Sequence, residues 1–202
     1  MTVRFSFEML QQMGWDAPDW IALPAGNLGN TSAFGKALRE AKALGLISKV
    51  PRILSVQAAG AAPFANAFDR DFATHDIVKP ETVASAIRIG DPASWDRAVR
   101  AIRETGGAVT AVSDDEILDA KAVIDAAGVG CEPASAASVA GVKKLRAAGI
   151  ISPDARVVSI LTGHLLKDPD VVSQYHESGA AHANKPVGIE ATVAAVAKAL
   201  GR

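Results

Sequence analysis

Four short apolar runs punctuate the chain: Trp20-Ile21-Ala22-Leu23-Pro24, Arg52-Ile53-Leu54-Ser55-Val56-Gln57, Ala108-Val109-Thr110-Ala111-Val112 and Val157-Val158-Ser159-Ile160-Leu161-Thr162. Each is followed closely by Gly, Ser or Asp, which is the pattern of a buried β-strand. Longer stretches between them repeat with helical period. Residues 31 to 46 place Phe34, Leu38 and Ala41 on one face and Lys36, Arg39, Glu40 and Lys42 elsewhere. Further helices are predicted over 94 to 105 and 114 to 127, the second capped by Asp114 or Asp115 and stopped by Gly128. Parallel strands need long crossovers and helices supply them, so the alternation predicts an α/β fold: a mainly parallel sheet of at least four strands flanked by helices. Residues 69 to 92 read as a long connection with a short helix inside. Residues 163 to 190 read as a loop-rich return before an Ala-rich helix at 190 to 200. Residues 4 to 13 already look helical and run straight into the first strand, so the chain is expected to start within its fold, as a single α/β domain over residues 1–202.

Composition narrows the functions open to such a fold. The chain has 202 residues, 49% hydrophobic and 21% charged, enough for a sizeable core. With 21 Lys+Arg against 22 Asp+Glu the net charge is −1, which favours neither nucleic acid nor an anionic membrane as partner. One cysteine, Cys131, excludes an internal disulfide and a multi-thiolate zinc site and points to a reducing compartment. No leader pattern or membrane-length apolar run is present, so the cytoplasm is expected.

The strongest local chemistry is Leu23-Pro24-Ala25-Gly26-Asn27-Leu28-Gly29-Asn30-Thr31-Ser32, where the first strand meets a helix. Its glycines permit a tight turn with converging amides, and the helix N-terminus adds free N–H groups and positive dipole, a combination that holds phosphate without a lysine. It is neither a Walker A loop nor a dinucleotide fingerprint. An ordinary strand-to-helix turn, with Asn30 or Thr31 as N-cap, satisfies the same letters. Thr162, at the C-terminal end of the last strand, is placed where open α/β sheets bind ligands. Gly130-Cys131-Glu132-Pro133-Ala134-Ser135-Ala136-Ala137-Ser138 offers a turn, an acid and small residues that suit either a flat ligand or close helix packing. His75, His164, His176 and His182 lack metal-ligand spacing, no metal site is expected, and Cys131 reads as a small buried residue.

Five blocks in one order extend this picture: the 23–31 segment, Gln57-Ala58-Ala59-Gly60-Ala61-Ala62-Pro63, Ala86-Ile87-Arg88-Ile89-Gly90-Asp91-Pro92-Ala93-Ser94-Trp95, Glu132-Pro133-Ala134-Ser135-Ala136, and Thr162-Gly163-His164-Leu165-Leu166-Lys167-Asp168. Together they resemble the C-terminal part of the threonine synthase family, pyridoxal-phosphate-dependent enzymes of fold type II, over nearly the whole chain. The resemblance implies the large domain of that fold, incomplete, with pyridoxal 5'-phosphate as cofactor. Gly26, Asn27, Leu28, Gly29 and Asn30 would wrap the cofactor phosphate, chiefly through backbone amides. Thr162 would face the pyridine nitrogen and, as an uncharged partner, leave it largely unprotonated. The implied reaction converts O-phosphohomoserine and water to threonine and phosphate, a phosphorylated amino acid serving as substrate.

The same resemblance exposes two departures. The family's Schiff-base lysine lies in a Ser-Phe-Lys-Asp-like motif well before the glycine/asparagine loop, and none of the lysines here, Lys36 and Lys167 included, stands in that motif. No catalytic residue is therefore assigned, and the chain is expected to be a C-terminal portion not active alone, by truncation, split gene or misplaced start. Leu165 stands where glycine is expected. A non-catalytic phosphate- or cofactor-binding module, a decaying fragment, and another fold-type-II lyase of the threonine dehydratase or cysteine synthase kind remain alternatives. Strands from a missing half would leave an apolar face bare, which predicts homo-oligomer formation or self-association through that face.

Overall fold

In a computed structural model, which describes residues 2–201, helix α1 (Thr2–Gln12) precedes strand β1 (Trp20–Pro24), α2 (Gly29–Ala43) and β2 (Arg52–Ala58). Then follow α3 (Pro63–Phe68), a 3-10 turn at Ser85–Ile87, α4 (Trp95–Thr105), β3 (Ala108–Val112), α5 (Asp114–Ala126), α6 (Pro133–Ala147) and β4 (Val157–Ser159). Helices α7 (Pro169–Glu177) and α8 (Val193–Ala199) close the chain. The four strands form one sheet in the order β3-β2-β1-β4, and every pairing is parallel. This is the expected α/β architecture, with β1 and β4 as neighbours.

Side chains alternate across β1 and divide the core in two. Ile21 and Leu23 join Phe34, Leu38, Phe64 and Trp95 beneath α2, α3 and α4, whereas Trp20 and Ala22 join Leu54, Val56 and Ile117 beneath α5 and α6. Both sheet faces are thus covered, which is why the strands read as continuous apolar runs rather than alternating ones. Small residues set the closest layers: a Cβ on Gly35 would collide with Ala101 of α4, and one on Gly141 of α6 would collide with Val56 of β2. Among the described residues no helix is long and apolar enough to cross a membrane.

Several boundaries differ from expectation for local reasons. The fourth strand ends at Ser159 instead of Thr162, because beyond Ile160, whose N–H still donates to the Ala22 carbonyl, the next amides turn to a side chain of α6. The N-cap of α5 is Ser113: its hydroxyl accepts from Glu116 N–H while the Glu116 carboxylate accepts from Ser113 N–H, a capping box. Asp114 instead accepts from Thr82 Oγ1 and Val83 N–H, pinning the 69–92 connection. The return after β4 contains α7, whose Tyr175 hydroxyl donates to Asp119 of α5 at 2.6 Å. The periodicity of that helix does not reveal this tertiary anchor. The terminal helix is α8, and it buries no residue.

One polar hub ties the start of β4 to the segment before β1. Arg156 Nη1 donates to Asp16 Oδ2 at 2.8 Å, and its backbone N–H donates to Asp19 Oδ2 at 2.8 Å, while Lys49 Nζ donates to Asp19 Oδ1 at 2.6 Å. The Arg156 hydrogen bond holds the Asp16 carboxyl below the usual carboxylate range, and the Lys49 and Arg156 hydrogen bonds do the same for Asp19. A carboxyl depressed in the folded state stabilises it above the unfolded-state pKa, and that contribution disappears as pH falls through the folded value. Arg156→Met is therefore expected to lower stability at pH 7 and to approach wild type below about pH 4. Urea melts at pH 7 and pH 3 check this; a gap that stays constant would refute it.

Candidate functional site

The loop after β1 carries the ladder past the strand and then turns into α2. Ala25 N–H donates to the Val56 carbonyl, continuing the ladder one residue beyond the strand, and the chain then turns at Leu28, which is left-handed at φ 61° and buried at 1% exposure. Burial of the Leu28 side chain holds a backbone conformation that a leucine rarely adopts. Helix α2 starts at Gly29 with Leu28 in the N-cap position and no side-chain cap. Neither Asn30 nor Thr31 serves as that cap; the Thr31 hydroxyl is instead paired with Ser55 Oγ at 2.6 Å within the core. Among the described residues the amides of residues 26–31 donate to no protein acceptor. Six successive N–H groups without a protein acceptor at a helix N-terminus are the kind of donor set that suits an anion.

The walls of this cup are fixed from outside. Asn27 Oδ1 accepts from Ala93 N–H and its carbonyl accepts from Ser94 N–H, both at 3.1 Å, which locks the cup to the loop before α4. A Cβ on Gly26 would lie 3.0 Å from the Ala86 carbonyl oxygen and 3.1 Å from Ile87 Cα, so any side chain there would have to push the 3-10 turn off the loop by a few tenths of an ångström. That turn is held in its own right: Ser85 N–H and Oγ both donate to Asp168 Oδ2, at 3.3 and 2.9 Å. Gly29, by contrast, faces open space.

Thr162 reaches the same cleft from β4, the strand beside β1. Its N–H and that of Gly163 donate to Ser135 Oγ at 2.9 and 3.0 Å, and its hydroxyl lies 3.2 Å from that oxygen and 3.4 Å from Glu132 Oε1. A cleft of about 200 Å³ is lined by Gly26, Asn27, Leu28, Gly29 and Asn30 at one end and by Glu132, Ala134 and Thr162 at the other, with Ala86 and Ile87 between. All six residues singled out from the sequence thus share one cavity. Ser135 and Glu132, whose contacts shape its far end, were visible in the Glu132-Pro133-Ala134-Ser135 block but had no role there. Leu165 packs over Gly130, where an added Cβ would lie 3.0 Å from its Cδ2.

Other candidates lie apart. Among the described residues no lysine lines the cleft, and Lys36 pairs with Glu40 on α2. Lys167 stands at the far end, its Nζ 3.0 Å from Glu132 Oε2. Burial pushes the Cys131 thiol up to about 11, so at neutral pH it is a protonated thiol, inert as a nucleophile. His75 stacks on Trp95 with centroids 3.8 Å apart, and His164 and His176 each accept a backbone N–H through Nδ1. Among the described residues no group of three His, Cys, Asp or Glu side chains is gathered for a metal ion.

A loop of free amides after one strand and a hydroxyl residue beyond the end of its parallel neighbour thus face one cleft, and similarity to known proteins gives the class of protein to which this arrangement belongs. The chain belongs to the pyridoxal-phosphate dependent enzyme family, whose model matches residues 2–163. It is 43% identical over 196 residues to a threonine synthase of Methanosarcina acetivorans, a match covering 96% of this chain and 47% of that protein. Among solved structures it is similar to an L-serine ammonia-lyase from Rhizomucor miehei, with a TM-score of 0.71, 20% identity and coverage of 87% of this chain and 55% of that one. It is also similar to threonine synthase from Escherichia coli, with a TM-score of 0.66, 17% identity and coverage of 96% and 42%. The chain spans about half the length of the curated relatives it matches.

Proposed function

We infer that this chain forms the cofactor-holding part of a threonine synthase that converts O-phosphohomoserine and water to threonine and phosphate in the cytoplasm. The observation that carries the reading is the row of free amides at residues 26–31 sharing a cleft with Thr162, in a chain similar to threonine synthases over most of its length. Gly26, Asn27, Leu28, Gly29 and Asn30 would hold the phosphate of pyridoxal 5'-phosphate, and Thr162 would face its ring nitrogen. Bound there, the ring supplies an electron sink for chemistry at the substrate's carbon atoms. The chain's own residues would supply position: amides and helix dipole at one end, the Ser135-supported hydroxyl at the other, and Ala86 and Ile87 lining the cleft between them.

A second reading has its own support. No lysine lines the cleft among the described residues, which suits either a C-terminal portion completed by a lysine-bearing part or a binding module that holds phosphate or cofactor without turnover. Lacking an amine beside the cofactor's aldehyde, the chain as given is expected to bind pyridoxal 5'-phosphate and inorganic phosphate reversibly and to release no phosphate from O-phosphohomoserine. The groove between α1 and the segment after β4, where Phe5, Met9, Phe34, Ile160 and Leu161 are joined by Glu8, Gln12, Asn30 and Thr162, is the surface through which self-association would proceed. Equilibrium dialysis and a phosphate-release assay test the reading. Release restored by adding a separately expressed lysine-bearing half supports the synthase; release by this chain alone would overturn the division of labour.

A further inference from the structure

Helices α2 and α4 meet where an added Cβ on Gly35 would collide with Ala101, and both residues line a cavity of about 290 Å³. Two basic pairs line it as well: Lys36 and Arg39 from α2, Arg97 and Arg100 from α4. Residues three apart share a helix face, so each pair presents its cations to the same side. No carboxylate lines the cavity among the described residues. In a chain whose net charge is −1, such a gathering of cations around one hollow is a local departure that calls for a cause.

Ion pairing offsets half of this charge. Glu104 Oε2 accepts from Arg39 Nη1 at 2.7 Å and its Oε1 accepts from Arg100 Nε at 2.6 Å, so one carboxylate holds a guanidinium from each helix. The Arg100 and Arg39 hydrogen bonds keep the Glu104 carboxyl below the usual carboxylate range. Lys36 Nζ lies 3.0 Å from Glu40 Oε1. Arg97 meets no carboxylate among the described residues. An arginine carries several N–H donors and Glu104 takes one from each, so both guanidinium forks stay open to a further acceptor. Like charges on one helix face repel, and an anion with charge on two linked groups would relieve both pairs at once.

We propose that this cavity binds a diphosphate group, held by Lys36 and Arg39 on one side and by Arg97 and Arg100 on the other. Arginine forks match phosphate oxygens in pairs, and lysine adds a point charge. The group comes as free pyrophosphate or as the end of a nucleoside diphosphate, which present the same chemistry. A single phosphate spans one pair only and is expected to bind here weakly. The cavity shares no residue with the cup and Thr162 cleft, so the proposal goes beyond the cofactor reading and does not rest on it. Ser32 lines the cavity and its hydroxyl donates to the Gly29 carbonyl at 2.9 Å, which sets the two sites about one helical turn apart on α2.

The test titrates pyrophosphate into the full chain by calorimetry, without divalent cations, in wild type and in Gly29→Asp, which puts a carboxylate in the cup. Saturable binding is expected in both, and in Gly29→Asp it should be at least about tenfold tighter than that of inorganic phosphate. Arg97→Ala in the Gly29→Asp chain should weaken pyrophosphate about tenfold, the loss of one charge-assisted contact, and Arg97→Glu should abolish it. Arg97→Ala alone should leave the affinity of the cup for inorganic phosphate within about twofold. Arg97 is exposed, so melts without ligand should show no loss of stability in Arg97→Ala. Adenosine diphosphate distinguishes the sources: affinity at least equal to that of pyrophosphate gives the nucleotide, lower affinity gives free pyrophosphate, and either upholds the diphosphate site. Pyrophosphate bound by wild type but not by Gly29→Asp overturns this site and leaves the cup standing. Pyrophosphate bound by Gly29→Asp, with no inorganic phosphate bound by wild type, upholds this site and overturns the cup. Binding unmoved by both Arg97 variants overturns the proposal. Should Gly29→Asp fail to fold, wild type against Arg97→Glu decides alone: an unchanged isotherm overturns it.

Discussion

Gly29→Asp should abolish phosphate binding while leaving the fold intact or slightly firmer. Nothing lies within 4 Å of a Cβ built at Gly29, and its backbone is helical, so the substitution meets no steric obstacle. A carboxylate in the first turn of α2 interacts favourably with the helix dipole and contributes about 0.3–1 kcal/mol to stability. The same carboxylate occupies the space that an anion would need. At about 4 Å and an effective dielectric near 20, repulsion between two unit charges is about 4 kcal/mol, which corresponds to a loss of roughly 100-fold or more in affinity. Dialysis against inorganic phosphate, paired with a thermal melt, reads both consequences. Lost binding with a lowered melting temperature would mean a damaged helix instead, and retained binding would place the anion elsewhere.

The second large effect lies behind the site. Helix α6 carries Ser135 in its first turn and crosses the sheet at Gly141, where an added Cβ would fall inside the contact distance of Val56 Cγ2. Gly141→Val must push α6 away from β2 or force both side chains from their rotamers, a cost of about 3 kcal/mol in a close-packed core. Because Glu132 and Ser135 ride on the same helix end, the displacement would also widen the Thr162 end of the cleft. The variant should lose stability by that amount in urea melts and lose ring-ligand affinity more than phosphate affinity. Adding Val56→Ala should restore much of both. A double variant no more stable than Gly141→Val would show that the contact is not the cause.

The parts legible in the sequence are those fixed by local pattern. Strands β1 and β3 match their apolar runs because both sheet faces are buried, and α4 matches its stretch of helical period. The cup was legible as glycines and asparagines at a strand-to-helix junction, and the order of the strands places it beside Thr162. What was not legible depends on contacts far apart in the chain. The N-cap of α2 falls on Leu28, whose unusual φ is held by burial and not by any capping side chain. Ser113 takes the cap of α5 because Asp114 is engaged by Thr82 and Val83, which precede it by 32 and 31 residues. Helix α7 depends on Tyr175 meeting Asp119, and Glu132 gains significance only when Thr162 is seen beside it.

The early end of β4 gives the two ends of the cleft different tolerances to motion. The cup end is continuous with β1, a central strand hydrogen-bonded on both sides, so disturbing it means disturbing the sheet. The Thr162 end lies beyond the last ladder bond of an edge strand and is held by the start of α6 alone, through Ser135 Oγ and the Glu132 N–H. Opening there breaks two amide bonds to Ser135 and the bond from Glu132 N–H to the Gly163 carbonyl, but none between strands, so it belongs to the low end of the local unfolding spectrum, where amide protons exchange with solvent long before the sheet does. A ligand anchored by its phosphate could then stay in place while the wall beyond its ring swings aside and returns.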